Sequence, residues 1–414
     1  MIVYRHTPHA QSMTGGNTVR LTLHLSLIVL LLSLASGGFT EANAGGMSAK
    51  DYYRNRRAQN RANAAKRFGI TAGERAAVTR GLKWLASKQA ADGSWPAHKA
   101  GSDRCGVTGL AVLALLASGS DEAAGSYRGN VVKALAWISG RQTAGGRIGK
   151  KGDFPYGEGD YWSHAVSGLA LAEAAGMQKG SKFKVAASRA FDYSLRTYQL
   201  KYSGWSTKPG GKSNTTASAW FVMQAAAAKA TGVKVPGMAF HGTMMHLMQV
   251  KGKDGMCSDA RRGKATKLAS AAAAFAKVQM GAIGKSAAGD KTMRYLVGNL
   301  PQVSGDGGEF DWSYVLFGSS ACFHADPSLW KKWHPAMAKA LLGMQVGKGR
   351  GAGSWPALGK EGKYGGSVCT TAMAVLCLQA YCRYVPKHSR ANGYPAASRR
   401  RGPGVDARGD STLR

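Results

Sequence analysis

The sequence QAADGSW, residues 89–95, closes a segment of helical character and opens a turn rich in small residues. Related strings recur along the chain, with Gln199 followed by Trp205 and Gln345 followed by Trp355, each across a Gly-containing turn. A pattern that returns at such intervals is typical of repeat proteins, in which each copy packs against its neighbours. We therefore interpret the chain as a repeat array.

Six glutamines mark the ends of the repeated segments: Gln89, Gln142, Gln199, Gln249, Gln302 and Gln345. Before each one, apolar residues recur at steps of three and four, which predicts an amphipathic helix. A second, almost wholly apolar stretch follows each turn, and four of these stretches share a hydroxyl residue followed by a small residue: Thr108-Gly109, Ser167-Gly168, Ser218-Ala219 and Thr371-Ala372. A helix without a polar face must be covered on all sides. The sequence thus predicts an all-α fold, an α/α toroid of about six helical-hairpin repeats with the apolar helices inside.

Copies four and five are the least regular. Ala271–Ala274 gives a thin inner helix, and Pro301 interrupts the outer helix before Gln302. Strands are not expected, because no alternation with a period of two is sustained.

The composition is that of a folded chain. Of 414 residues, 44% are apolar and 9% aromatic, which is too many for a mostly disordered protein. The longest apolar run, Leu21–Ala35, is short for a membrane span and precedes the small-residue site Ala42-Asn43-Ala44. We expect residues 1–44 to be a signal peptide, cleaved after Ala44, and the mature protein to be periplasmic or extracellular without a transmembrane span.

The formal net charge is +34. Two basic flanks are predicted, a linker over residues 45–73 and a disordered tail over residues 387–414, around a toroid domain over residues 74–386. Residues 71–386 still carry a net charge of +22, so the folded body is basic too. Such charge favours solubility and also attracts acidic polysaccharide, anionic lipid or nucleic acid. Specific nucleic-acid binding is not expected, because the aromatic residues do not alternate with the basic runs.

The six cysteines include no Cys-x-x-Cys pair, and we expect most of them to be buried thiols. Because the first and last repeats become neighbours in a closed ring, a disulfide between Cys105 and Cys369 is a further hypothesis.

The repeats resemble the Gln-Trp repeats of squalene and hopene cyclases, whose fold also serves the β-subunits of protein prenyltransferases. The resemblance covers roughly residues 74–386 and implies the α/α toroid fold. It also implies a structural role for the Gln and Trp residues of the motif, namely Gln89, Trp95, Gln199, Trp205, Gln345 and Trp355. The chain looks closest to secreted bacterial repeat proteins of this family whose role is unassigned, through Ser163-His164-Ala165 and the apolar segment after it.

The acid motifs of the cyclases are missing from the sequence. Cyclases protonate an alkene with Asp-x-Asp-Asp, whereas no two Asp residues are adjacent here. In the oxidosqualene branch the acid precedes Cys-Thr-Ala, and the corresponding position is Val368, before Cys369. Valine donates no proton, so the cyclase acid is absent.

Two further chemistries stay open at this point. Prenyltransferases hold zinc through Asp-x-Cys and His, and Asp103, Cys105 and His164 form a weak set of this kind at the starts of the first two inner helices. No cofactor is otherwise expected. For cleavage of polysaccharide, Trp162, His164, Glu309 and Asp311 are candidate cavity residues, since paired carboxylates hydrolyse glycosides. A solvated turn around Glu309 and Asp311, and a packed thiol at Cys105, are the plainer interpretations.

The sequence therefore predicts an exported toroid that binds an anionic or amphipathic ligand, or an acidic envelope polymer, without the cyclase acid. The alternative is an enzyme, either a polysaccharide hydrolase or lyase or a divergent terpenoid cyclase or prenyltransferase-like enzyme. The two differ in whether carboxylates and His164 converge in the ring.

Overall fold

The computed structural model of this protein describes residues 48–98, 104–149, 161–283, 287–303 and 310–386. The expected signal peptide and basic tail lie outside these residues. The α-helices within them are, in chain order, α1 (Ala49–Tyr52), α2 (Ala58–Arg67), α3 (Ala72–Ser87), α4 (Arg104–Ala117), α5 (Arg128–Gly140), α6 (Tyr161–Met177), α7 (Lys184–Thr197), α8 (Thr215–Ala230), α9 (Met238–Val250), α10 (Lys267–Gln279), α11 (Lys291–Gly298), α12 (Trp312–Ala325), α13 (Pro327–Met344), α14 (Gly359–Leu378) and α15 (Ala380–Arg383).

Short elements complete the described fold. Single 3₁₀ turns are formed by Arg54–Arg56, Ala287–Gly289 and Gly349–Gly351. Two antiparallel pairs of two-residue strands lie in the turns of copies three and four: β1 (Trp205–Ser206) pairs with β2 (Ser213–Asn214), and β3 (Cys257–Ser258) with β4 (Ala265–Thr266). In the described part of the chain, no helix is both long and apolar enough to cross a membrane.

The apolar helices form a closed inner ring. In order around the ring these are α4, α6, α8, α10, α12 and α14; each packs against the next, and α14 packs back against α4. The helices run parallel, since Gly106 faces Trp162 and Gly109 faces Val166, one turn later in both helices. Their side chains are buried along nearly the whole length, as in α4, where every residue after Arg104 is buried.

The amphipathic helices α3, α5, α7, α9, α11 and α13 pack around the outside of this ring. Each covers the inner helix of its own repeat or of a neighbour, which removes the remaining apolar surface from water. The predicted fold class, an α/α toroid of six helical hairpins, is confirmed.

The repeat glutamine connects neighbouring outer helices in three copies, through Gln89, Gln142 and Gln345. The Nε2 atom of Gln89 donates to the carbonyl of Gly93 in its own turn and to that of Asn130 in α5, both at 2.9 Å. Gln142 donates in the same way to Ala186 in α7. These amides satisfy carbonyls at both sides of each turn, which fixes the distance between successive repeats.

The tryptophan of the turn joins the outer helix to the inner helix that follows. The indole Nε1 of Trp95 donates to the carbonyl of Leu85 at 2.7 Å, and its backbone N–H donates to the Thr108 hydroxyl at 3.0 Å. The backbone N–H of Trp205 binds Ser218 in the same way, and that of Trp355 binds Thr371. In these three copies the recurrent hydroxyl at the start of the inner helix is therefore the acceptor for the turn. In copy two the Ser167 hydroxyl donates instead to the carbonyl of Cys105, and His164 accepts from the turn at Ile148.

In copy four the equivalent of the glutamine is Lys251, not Gln249. Lys251 forms the backbone bridge to Cys257 that Gln199 forms to Trp205, whereas Gln249 is exposed within α9. The Lys251 ammonium lies 3.6 Å from Asp290, the residue that caps α11. An ion pair to the next outer helix thus replaces the amide contact, and the repeat residue predicted at Gln249 is out of register by two positions.

Part of the stretch expected to be a basic linker is folded. Helices α1 and α2 pack near the C-terminal ends of the inner helices, where Arg56 is 2% exposed. Its guanidinium lies 2.5 Å from Glu173 of α6, and Arg383 of α15 lies 2.9 Å from the other oxygen of the same carboxylate. Two buried arginines thus share one buried glutamate, whose charge offsets the cost of removing theirs from water.

Candidate functional site

Aromatic rings occupy the axis of the toroid near the N-terminal ends of the inner helices. Trp162 of α6 meets Tyr364 of α14 with ring centroids 5.4 Å apart, although α4 lies between these two helices in the ring. Trp220 of α8 likewise meets Phe317 of α12 at 5.2 Å across α10. Contacts between helices that are not neighbours pass through the centre of the ring. Trp162, predicted as a cavity residue, is therefore a packed residue of the axis with 7% exposure.

The start of α14 bends over this aromatic layer. Gly366 has φ 63° and ψ −161°, a combination that is essentially restricted to glycine. The bend separates residues 359–365, which we name the mouth segment, from the remainder of the helix. Gly359 at its other end also has a positive φ of 68°, and a Cβ there would lie 2.2 Å from the carbonyl oxygen of Phe310. The backbone of this segment is thus set by glycine at both ends.

The mouth segment holds Glu361, which is 7% exposed. The hydroxyl of Ser313, in the first turn of α12, donates to its Oε1 atom. Burial raises the pKa of Glu361, and the nearby charge of Asp311 raises it further against the opposing hydrogen bonds from Ser313. This carboxyl therefore retains its proton more strongly than an ordinary glutamate.

Asp311 lies beside it as the N-cap of α12. Its Oδ1 accepts from the backbone N–H of Tyr314 at 2.8 Å, and the residue is exposed. The structure therefore places one predicted candidate next to Glu361, a carboxyl that is not among the predicted site residues. Its expected partner, Glu309, lies outside the described residues.

A third carboxylate lies at the same end of the ring. Asp259 accepts from the backbone N–H and the hydroxyl of Thr216 at the start of α8, at 2.9 and 2.8 Å. Burial raises the pKa of Tyr161, and the negative charges of Asp259 and Glu361 raise it further. Tyr161 is thus a neutral hydroxyl within electrostatic range of two acidic side chains.

His164 lies between the helix layers and not at the axis. Its Nδ1 accepts from the backbone N–H of Ile148 at 3.1 Å, so Nε2 carries the proton and donates to the carbonyl of Ala190 at 3.1 Å. Burial lowers the pKa of His164 to about 3. Its placement differs from the expectation of a cavity residue, because the outer helix α7 supplies the acceptor for its ring.

Of the proposed zinc ligands, the structure describes Cys105 and His164. Both ring nitrogens of His164 are engaged within the protein, and Asp103 lies outside the described residues. No group of three or more His, Cys, Asp or Glu side chains suited to a metal occurs among the residues described. Cys105 and Cys369 are buried, and no disulfide joins any of the six cysteines, all of which are described.

Glu361 was missed because its sequence context is GKEGKYGG, residues 359–366. A lone acid among glycines and lysines suggests a solvated turn. The available signal was the glycine density, since several glycines directly before an apolar helix indicate a backbone bend.

No protein-family model matches this sequence, and no curated protein matches it. Solved structures do share its fold. A variant of the type II terpene cyclase MstE from Scytonema, in complex with its product merosterolic acid A, gives a TM-score of 0.52 at 15% identity, covering 75% of this chain and 97% of that one. The α-1,6-mannanase GH76A of Salegentibacter sp. HEL1_6 gives 0.50 at 12% identity, covering 74% and 98%. An α-amylase from Clostridium perfringens gives 0.50 at 11% identity, covering 76% and 99%. At these identities the likeness shows the α/α toroid fold alone.

Proposed function

We propose that this protein is an exported binding protein for acidic polymers, which it holds on the outer surface of the ring. The observation that carries this proposal is the separation of charge from packing. The ring axis is filled by Trp162, Trp220 and Phe317, whereas most lysines and arginines of the described part of the ring belong to its outer helices and turns.

Several carboxylates among the described residues are engaged within the protein. Glu173 is buried between Arg56 and Arg383, and Glu74 of α3 lies 2.5 Å from His334 of α13. Asp259 and Asp311 bind the backbone at inner-helix starts. The net charge of +22 on residues 71–386 already includes these carboxylates, so the surplus of lysine and arginine attracts polyanions over several ångströms.

Titration of the protein with heparin, polygalacturonate and neutral dextran tests the proposal. We expect binding of the two acidic polymers, with the logarithm of the association constant falling linearly as the logarithm of the salt concentration rises, and no binding of dextran. Binding of dextran at equal affinity, or binding of heparin that is independent of salt, would contradict a surface held together by charge.

A second candidate function is hydrolysis of polysaccharide at the mouth segment. The specific observation that favours it is the pair formed by Glu361, whose pKa is raised, and the neighbouring Asp311. A protonated carboxyl can donate its proton to the leaving glycosidic oxygen while a carboxylate activates water or stabilises the sugar cation. Tyr161 supplies a further neutral hydroxyl for a sugar.

Release of reducing ends from neutral and acidic polysaccharides distinguishes the two candidates. If the site is catalytic, Glu361→Gln abolishes release, while Asp192→Asn on the exposed face of α7 leaves it unchanged. If wild-type protein releases no reducing ends from any polymer that it binds, the hydrolase candidate is discarded and the binding protein stands.

A further inference from the structure

Acidic residues are distributed unevenly around the ring. From residue 174 to residue 253 the sequence contains one acidic residue, Asp192, against twelve basic ones: Lys179, Lys182, Lys184, Arg189, Arg196, Lys201, Lys208, Lys212, Lys229, Lys234, Lys251 and Lys253. The net charge of this stretch is +11, half of the +22 on residues 71–386. It forms α7, α8, α9 and their connections, so the excess lies on one side of the toroid.

A groove of about 400 Å³ opens on this side, between the start of α7 and the turn after α8. It is lined by Lys184, Val185, Ser188, Arg189, Gly232, Val233 and Lys234. Three of these side chains are cationic and exposed, and no carboxylate belongs to the lining. A concave surface with one sign of charge focuses its field and attracts a ligand of opposite charge.

The position of Arg189 is fixed by the protein. Its Nη2 atom donates to the carbonyls of Thr143 and Ala144, both at 2.8 Å. The guanidinium is therefore held at the wall of the groove with donors remaining, since an arginine carries five N–H groups. Lys184 and Lys234 reach the groove from two different elements.

The remaining lining selects among anionic ligands. Val185 is 68% exposed, which supplies a small apolar contact suited to the C–H face of a sugar ring. No aromatic side chain belongs to the lining, so the groove lacks the stacking surface on which unpaired bases bind. A concave site with one exposed valine also lacks the broad apolar face that inserts into a membrane.

We propose that this groove binds a linear acidic polysaccharide, whose carboxylate or sulfate groups pair with Lys184, Arg189 and Lys234. The inference rests on the proposed function and assigns its binding surface. The same chemistry is presented by sulfated and by carboxylated polymers, so both heparin and polygalacturonate serve as probes.

The test compares two double variants that each remove two positive charges. Lys184→Gln with Lys234→Gln alters the groove, and Lys331→Gln with Lys339→Gln alters the exposed face of α13, across the ring from α7. Arg189 is left intact because it holds the turn before α6. We expect the groove variant to bind heparin and polygalacturonate about tenfold more weakly than wild type, and the α13 variant less than about twofold.

The outcomes separate the two proposals. If wild-type protein binds neither polymer, the proposed function fails and the groove fails with it. If wild type binds and the two variants lose equal affinity, the proposed function stands and the groove assignment is overturned. Single-stranded DNA and vesicles containing phosphatidylserine are tested as competitors of heparin. If either displaces heparin at a lower concentration of negative charge than polygalacturonate does, and also binds the groove variant more weakly than wild type, the ligand class is overturned.

Discussion

The side-chain Nε2 of Gln345, in the last repeat, donates a 2.9 Å hydrogen bond to the backbone carbonyl of Ala77 in the first outer helix. The same amide also donates to Gly353 in its own turn, and Arg80 donates to its Oε1 at 2.6 Å. The contact that elsewhere joins neighbouring repeats thus closes the ring here. Gln345 and Ala77 are 268 positions apart in the sequence. They form the same contact as Gln89 and Asn130, which are 41 positions apart.

Replacing Gln345 by alanine should destabilise the protein by roughly 1–3 kcal/mol, because the carbonyls of Ala77 and Gly353 lose their donor in a partly buried setting. The matched control is Gln199→Ala, since the Nε2 atom of Gln199 is buried without a hydrogen-bond partner among the described residues. We expect a smaller loss for Gln199→Ala in urea unfolding. Equal losses would mean that the glutamine acts only through packing.

Acid should destabilise the protein through His164. Burial lowers the pKa of this histidine from 6.5 to about 3, so between these values the unfolded chain binds a proton that the folded protein excludes. The contribution of neutral His164 to the free energy of unfolding is therefore fully present above pH 6.5 and is lost as the pH falls towards 3. His164→Asn removes this dependence, and the difference in unfolding free energy between wild type and variant should shrink from about pH 7 to about pH 5. Arg147, the nearby charge, is present in both proteins.

A constant difference between the two proteins across this range would show that the buried His164 does not titrate on unfolding as proposed. The measurement stays above the range in which Glu173 titrates. The pKa of that carboxyl is lowered because Arg383 and Arg56 outweigh its burial, so its contribution is lost only in stronger acid.

Glu173→Gln should destabilise the protein by roughly 3–5 kcal/mol, because two buried guanidinium groups lose their counter-charge. The control is Lys251→Gln, which removes one partner of the partly exposed ion pair with Asp290 and should cost less than about 1 kcal/mol. Chemical unfolding monitored by circular dichroism measures both. A loss of similar size for both variants would contradict the buried network.

Two glycine substitutions should have opposite signs. Gly366→Ala forces a Cβ into a backbone region suited to glycine and should cost roughly 1–3 kcal/mol. Gly129→Ala lies in the first turn of α5 with no atom within 4 Å of the added carbon and should stabilise by roughly 0.5–1 kcal/mol. Thermal unfolding distinguishes them. A neutral Gly366→Ala would show that the bend beneath the mouth segment is not set by this residue.

Periodicity predicted the two layers of helices because each outer and inner helix carries its own pattern of apolar residues. The recurrent hydroxyl before the inner helices was also visible, although its role as acceptor for the Trp95 backbone emerged only from the geometry. The prediction of Gln249 was wrong because the repeat pattern was defined by glutamine, whereas Lys251 forms the corresponding connection in this copy.

The buried charges and the candidate site were not predictable in the same way. Arg56, Glu173 and Arg383 are far apart in sequence, and no local pattern indicates that their charges meet. Glu361 depends on a bend at Gly366 and on a hydroxyl from another helix, Ser313. Interactions between distant segments require the three-dimensional arrangement, which helical spacing does not encode.

The pairing of the first and last described segments has a consequence for engineering. The backbone N–H of Val385 donates to the carbonyl of Tyr52 at 3.1 Å, and the rings of Tyr52 and Tyr384 stack at 4.8 Å. A short peptide linker could therefore join these two positions, while new chain ends are opened in the exposed turn at Gly347. The chain of such a circular permutant would start in a different repeat, and we expect it to form the same closed arrangement of helices.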